Sequence, residues 1–157
     1  PMAPSTEDRS IVTLGRDILA GVVAGYKQRG LTLPDRQYLT LGTPVNDCEQ
    51  LVVSWQQAYL GTPGDEASLP QRCEAVKTAV FTVQICRKMP VVSESGKSPS
   101  AEDIQENSEV ALIDAYALFD IVAHIDPFDL GVIVTTDVVE VSGGLSCIQV
   151  QTTLAIP

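Results

Sequence analysis

Between Ser10 and Arg29 the apolar residues Ile11, Leu14, Ile18, Leu19, Val22, Val23 and Tyr26 recur at helical spacing, and Gly30 follows as a stop. Apolar positions three and four apart share one side of a helix, so the segment predicts an amphipathic helix. Gly15 and Gly25 fall inside its apolar stripe. Each costs about 1 kcal/mol of helix propensity, but a missing side chain lets a neighbour approach, which points to close packing on a sheet. After Pro34-Asp35, Arg36 to Leu41 reads as a short strand closed by Gly42-Thr43-Pro44. Glu49 to Leu60 alternates, with Leu51, Val53, Trp55 and Tyr59 on one face and Gln50, Ser54 and Gln56 on the other. That is the pattern of a half-buried strand. Alternation resumes over Ala75 to Lys88 with Ala79, Phe81, Val83 and Ile85. The loop at 61–72 holds Thr62-Pro63-Gly64-Asp65 and Pro70, so the strands that flank it should pair antiparallel.

The second half repeats the theme. A polar loop over 92–100 leads to Ser100 and Asp103, a capping signal for a helix that runs to about Ile125 and ends before Asp126-Pro127. Its main apolar face comprises Ile104, Ala111, Leu112, Ala115, Leu118, Phe119, Val122 and Ile125. Val110, Ile113, Ala117 and Ile121 fall outside it. A second apolar strip suits a subunit contact, and packing beneath a loop is the ordinary alternative. Val132 to Val141 and Leu145 to Ile156, rich in Val, Ile and Thr, flank Ser142-Gly143-Gly144 and predict a β-hairpin. The order α-β-β-β-α-β-β implies an α+β fold, a mostly antiparallel sheet of about five strands packed by two helices.

Composition narrows the class. The 157 residues, 45% hydrophobic and 19% charged, fit a single domain over 1–157 with a flexible tail at 1–9. No apolar run approaches the ~18 residues of a membrane span. Pro1-Met2-Ala3-Pro4 lacks the regions of a signal peptide, so folding in a cytoplasm is expected, without membrane contact. The net charge of −10 is unevenly placed: from Pro99 onward there are ten acids and no Lys or Arg. Phosphate binding needs clustered cations, so specific binding of nucleic acid is disfavoured; the acids form either a solvated surface or one that repels DNA.

Candidate chemistry is sparse. Cys48, Cys73, Cys86 and Cys147 are widely spaced, which favours free buried thiols, or a disulfide closed after release from the cell. If the 61–72 loop folds symmetrically, Cys48 with Cys86 is the pair to consider. His124 is read as an exposed helix residue, and Glu102 with Glu106 as a solvated face. No phosphate loop, metal-ligand spacing or nucleophile elbow occurs, so neither enzyme activity nor a metal or cofactor is expected.

Three stretches carry a resemblance: Asp47-Cys48-Glu49-Gln50-Leu51-Val52-Val53-Ser54; Tyr59-Leu60-Gly61-x-Pro63-Gly64-Asp65-Glu66 leading to Arg72-Cys73; and Ala79-Val80-Phe81-Thr82-Val83-Gln84. Together with the second helix and the hairpin ending Thr153-Leu154-Ala155-Ile156-Pro157, they resemble the tail terminator proteins of long-tailed phages infecting actinobacteria, from about Gln37 onward. The resemblance implies a tail-tube-like fold and a homohexameric ring, a virion component at the head-proximal end of the tail. Such a ring stops growth of the tail tube, contacts the tail tube protein, and offers its other surface to a head-completion or neck protein. DNA passes through it without specific binding. Related rings turn the sheet to the lumen, which makes Asp137 and Glu140 the candidate lumen acids. Pro63, Gly64, Asp65 and Glu66, at the tip of a long polar loop, are the candidate docking loop. The alternatives are another neck or tail-tube protein and, in a different class, a small α+β ligand-binding domain or enzyme with an apolar pocket under the 61–72 loop.

Overall fold

The computed structural model describes residues 10–64, 77–125 and 132–156, and of residues 10, 132, 133 and 140–142 the backbone only. Its elements are α1 (Ser10–Gln28), β1 (Gln37–Leu41), β2 (Gln50–Leu60), β3 (Lys77–Lys88), α2 (Ala101–Ala123), β4 (Val132–Ser142) and β5 (Leu145–Ile156). The five strands form one sheet in the order β1-β2-β3-β5-β4, antiparallel except for the parallel pair of β1 with β2. This is the α+β fold that the patterning implies, in the same element order. The predicted hairpin is β4 with β5, and its turn uses Gly143 and Gly144 at φ 60° and 81°, the left-handed backbone that favours glycine at both central positions.

Both helices lie on one face of the sheet, α1 over β1 to β3 and α2 over β3, β5 and β4. The core forms between them. Leu51, Val53, Phe81, Val83, Ile85, Ile148 and Val150 rise from the sheet to meet Leu14, Ile18, Val22 and Tyr26 of α1 and Leu118 and Val122 of α2. At Gly15 an added Cβ would lie 2.9 Å from Leu39 Cδ1 and 3.2 Å from Phe81, so this glycine seats α1 on the sheet as expected. Gly25 serves the other helix instead: its Cβ would meet Ile121 at 2.6 Å.

That contact explains a correction to α2. Ala117 and Ile121, expected on a separate subunit-contact strip, are buried in the core, whereas Leu112 and Phe119, expected on the main buried face, are exposed. Only Val110 and Ile113 of the four keep the predicted exposure. The helix touches α1 as well as the sheet, and Gly25 of α1 admits Ile121, which rotates the buried sector away from the hydropathy optimum. The start of α2 is as predicted, with Ser100 Oγ accepting the Asp103 N–H at 3.1 Å.

Strand β2 is a second correction. Its first five residues, Gln50 included, are buried on both faces. Parallel pairing requires residues 42–49 to carry the chain back along the sheet, and this segment folds over the face opposite the helices. Gln50 Nε2 donates to Val45 O at 2.8 Å, and Gln56 Nε2 donates to Gly42 O at 3.0 Å.

The cysteine reading is a third. Cys86 is disulfide-bonded to Cys147, neither a free thiol nor the partner of Cys48. The β2–β3 register does bring Cys86 beside Gln50, near Cys48, but the β3–β5 register sets Cys147 directly opposite it. Cys48 is free and accepts from Arg36 Nη1 at 2.9 Å, and Cys73 lies outside the described residues.

Candidate functional site

Three features stand out. The first is a buried polar cluster that fixes α2. Asp114, 2% exposed, accepts from Tyr26 Oη at 2.8 Å and from Arg87 at 2.5 Å to Nε and 3.0 Å to Nη2. One carboxylate thereby joins α1, β3 and α2. Arg87 also donates to Thr32 O at 2.8 Å. Burial opposes the charge on Arg87, but the hydrogen bonds and charge of Asp114 outweigh it and raise its pKa. Burial, then the adjacent carboxylate, pushes the Tyr26 phenol well above its usual range.

A phenol raised in the folded state binds its proton more tightly than in the unfolded chain. Its contribution is complete below the unfolded pKa near 10 and is lost as pH rises above it. Stability should therefore decline above about pH 10, and less steeply in Tyr26→Phe, as measured by urea midpoints across alkaline pH. Equal slopes in the two proteins would show that Tyr26 is not the titrating group. As a fold pin, the cluster positions the surface described next.

That second feature is the outer side of α2. Leu112 and Tyr116 are 69% and 73% exposed, Phe119 is exposed beside them, and Ile104, Val110 and Ile113 are exposed elsewhere on the helix. Leu112, Tyr116 and Phe119 lie four and three residues apart and share one side of the helix. This band is bordered by Glu102, Glu106 and Glu109, all exposed. Of the four residues expected to make a subunit contact, Val110 and Ile113 are exposed and Ala117 and Ile121 are not. Among the described residues, α2, β4 and β5 carry no Lys or Arg, whereas the α1 and β1 flank mixes Arg16, Lys27, Arg29 and Arg36 with acids. Arg29 pairs with Asp120 where α1 meets α2. His124 is exposed at the end of α2, as expected, with Nδ1 at 2.6 Å from Asp120 O.

The third feature is the sheet face opposite the helices. Residues paired across a ladder share a face, so the register builds two rows across four strands. One runs Val52, Gln84, Gln149, Asp137, and the next Ser54, Thr82, Gln151, Thr135. Between the 42–49 segment and Val139 of β4, the Thr82, Gln84, Gln149 and Gln151 members of these rows floor a groove of about 460 Å³. The candidate lumen acid Asp137 is thus placed on a face made mainly of carboxamides and hydroxyls. Glu140 stands at the register position opposite Cys147. The glutamines carried the missed signal: Gln84, Gln149 and Gln151 sit at alternate positions of strands otherwise rich in Val, Ile and Thr.

Of the candidate docking loop, Pro63 and Gly64 follow β2, with the Gly64 N–H donating to Tyr59 Oη at 3.1 Å. Asp65 and Glu66 lie outside the described residues, as do the tail at 1–9 and the rest of the loop to residue 72. No helix among the described residues is long and apolar enough to cross a membrane. No protein-family model matches the sequence, and no curated protein matches it.

Proposed function

We propose that this chain is a ring-forming structural subunit of a phage tail: a tail terminator that caps the tail tube, halts its growth and presents a surface to the head-completion or neck protein. The observation that carries the reading is the exposed apolar band of α2, Leu112, Tyr116 and Phe119, on a helix held rigidly by the Tyr26–Asp114–Arg87 cluster. A band of this kind on a fixed scaffold is the mark of a protein contact. The two flanks of the sheet differ in charge, one acidic throughout and one mixed. Unlike surfaces suit head-to-tail contacts that close into a ring, in contrast to the self-complementary surface of a two-fold dimer. In such a ring the face carrying Asp137 lines the channel, where DNA passes with nothing to grip its phosphates. The sequence resemblance supplies the tube as the partner, and Pro63 to Glu66 as the segment that reaches it.

The test pairs assembly with infection. The purified full chain should sediment as a ring of about six copies and bind the ends of isolated tail tubes. Leu112→Asp with Tyr116→Asp should keep the native circular dichroism and thermal midpoint yet fail to form rings, because both side chains are surface residues of the subunit. Deleting the gene should give overlong tails or tails that do not join heads. A wild-type chain that stays monomeric at all concentrations, or a deletion that leaves tail length and head joining normal, refutes the reading.

A further inference from the structure

The groove on the helix-free face of the sheet has a mainly polar floor. Thr82, Gln84, Gln149 and Gln151 form it together with Val80; Gln56, Gln57 and the 43–46 segment lie to one side, and Val139 borders the other. Among the described residues that line it, none is charged and none is aromatic. Its volume of about 460 Å³ falls within the range of small-ligand sites. One acceptor in it is unmatched: Gln84 is 1% exposed, and its Oε1 has no hydrogen-bond partner in the protein. A buried carbonyl without a donor costs stability, so its place in the groove floor calls for a ligand that brings an N–H or O–H.

We infer that this groove binds an extended, uncharged stretch of polypeptide supplied by a partner protein, laid along β3 and β5. The reason is spacing. Gln149 and Gln151 are two residues apart on one strand, Thr82 and Gln84 two apart on the next, and the pairs Gln84 with Gln149 and Thr82 with Gln151 face each other in register. Groups two apart on a strand recur every ~6.8 Å, which is also the repeat of same-side N–H and C=O groups along an extended chain. A carboxamide both donates and accepts, and so does a hydroxyl, so Gln84, Gln149, Gln151 and Thr82 can satisfy a main chain lying over them. Because β1 and β2 are parallel, the 42–49 segment must carry the chain back along the strand direction, and its Thr43, Pro44 and Asn46 line the groove. Polyanions find no cation there. Sugars find no aromatic ring to stack on.

The inference rests on the subunit alone and does not depend on the ring reading. It is tested on the ¹⁵N-labelled full chain by following the side-chain amide resonances of Gln84, Gln149 and Gln151. The probes are a random pool of blocked, uncharged hexapeptides of Gly, Ala, Ser, Thr and Val, with maltotriose and an oligothymidylate as the competing chemistries. Members of the pool should shift these resonances saturably and survive enrichment, while the other two probes leave them unmoved. Gln84→Met, which removes the unmatched acceptor at similar volume, should weaken the best enriched peptide roughly tenfold. The same variant should raise the thermal midpoint of the free protein. No saturable shift from the pool, saturation by maltotriose or oligothymidylate instead, or undiminished peptide binding by Gln84→Met each overturns the proposal. Binding is read in whatever oligomeric state the chain adopts, so loss of the ring reading would leave this result standing. As an internal check, Leu112→Asp with Tyr116→Asp should bind the same peptides.

Discussion

Replacing Asp114 by Ala is expected to lower the unfolding free energy by about 3–5 kcal/mol, the usual cost of leaving a buried charge without its partner. The substitution strands Arg87 in a partly buried position and leaves the phenol of Tyr26, 1% exposed, without its acceptor. It also cuts the tie that sets the rotation of α2. Urea unfolding of the full chain measures the loss. Asp114→Asn should cost less, since it keeps an acceptor for Tyr26 while giving up the charge opposite Arg87. Asp114→Leu with Arg87→Met should recover much of the deficit, because removing both charges avoids the unpaired one. A loss of under about 1 kcal/mol for Asp114→Ala would place this cluster among contacts of surface-pair strength.

Cys147→Ala should lower stability by a similar amount. The Cys86–Cys147 bond joins residues 61 apart, and in the chain-entropy account closing a loop of that length removes about 4 kcal/mol of freedom from the unfolded state. Both residues are 0% exposed, so a mild reductant should reach the bond only when β3 and β5 part. Alkylation in denaturant without reductant should leave peptides containing Cys86 and Cys147 unmodified in mass spectra. Their full alkylation in oxidised, purified protein would refute the pairing. A chain made in a reducing cytoplasm would first carry the pair as thiols and gain this stability on release.

The sequence periods were enough to place both helices and all five strands, because apolar alternation and helical spacing report which side of each element meets the core. They misjudged what else touches that element. The hydropathy of α2 favours a face that extends to Leu112 and Phe119, but the contact of Gly25 with Ile121 and the buried Asp114 turn the helix toward Ile121. An Asp inside an apolar helix looks like a surface residue until Arg87 and Tyr26, distant in the chain, arrive to meet it. Cys147 was legible as a strand residue. Its partner was not, since register between β3 and β5 depends on strand order, which a single sequence does not encode locally. The glutamine face was misjudged for the same reason: Gln50 and Gln84 look solvent-facing by alternation, whereas the 42–49 crossover covers that side of β2. The exposed apolar band of α2 therefore falls mostly on residues other than Val110, Ile113, Ala117 and Ile121.

One consequence of the strand order concerns the subunit before it meets any neighbour. Strand β4 lies at the edge of the sheet, and over its 11 residues Val132–Ser142 it holds no Lys, Arg or Pro, the residues that natural edges use to discourage further pairing. Among the described residues, what guards it is a bulge between Val138 and Glu140 and the acid Asp137. A Val- and Thr-rich edge with so few guards is a template for cross-β stacking and fibril growth. Accumulation of the lone subunit is thus the hazard, and an acid at position 137 opposes it.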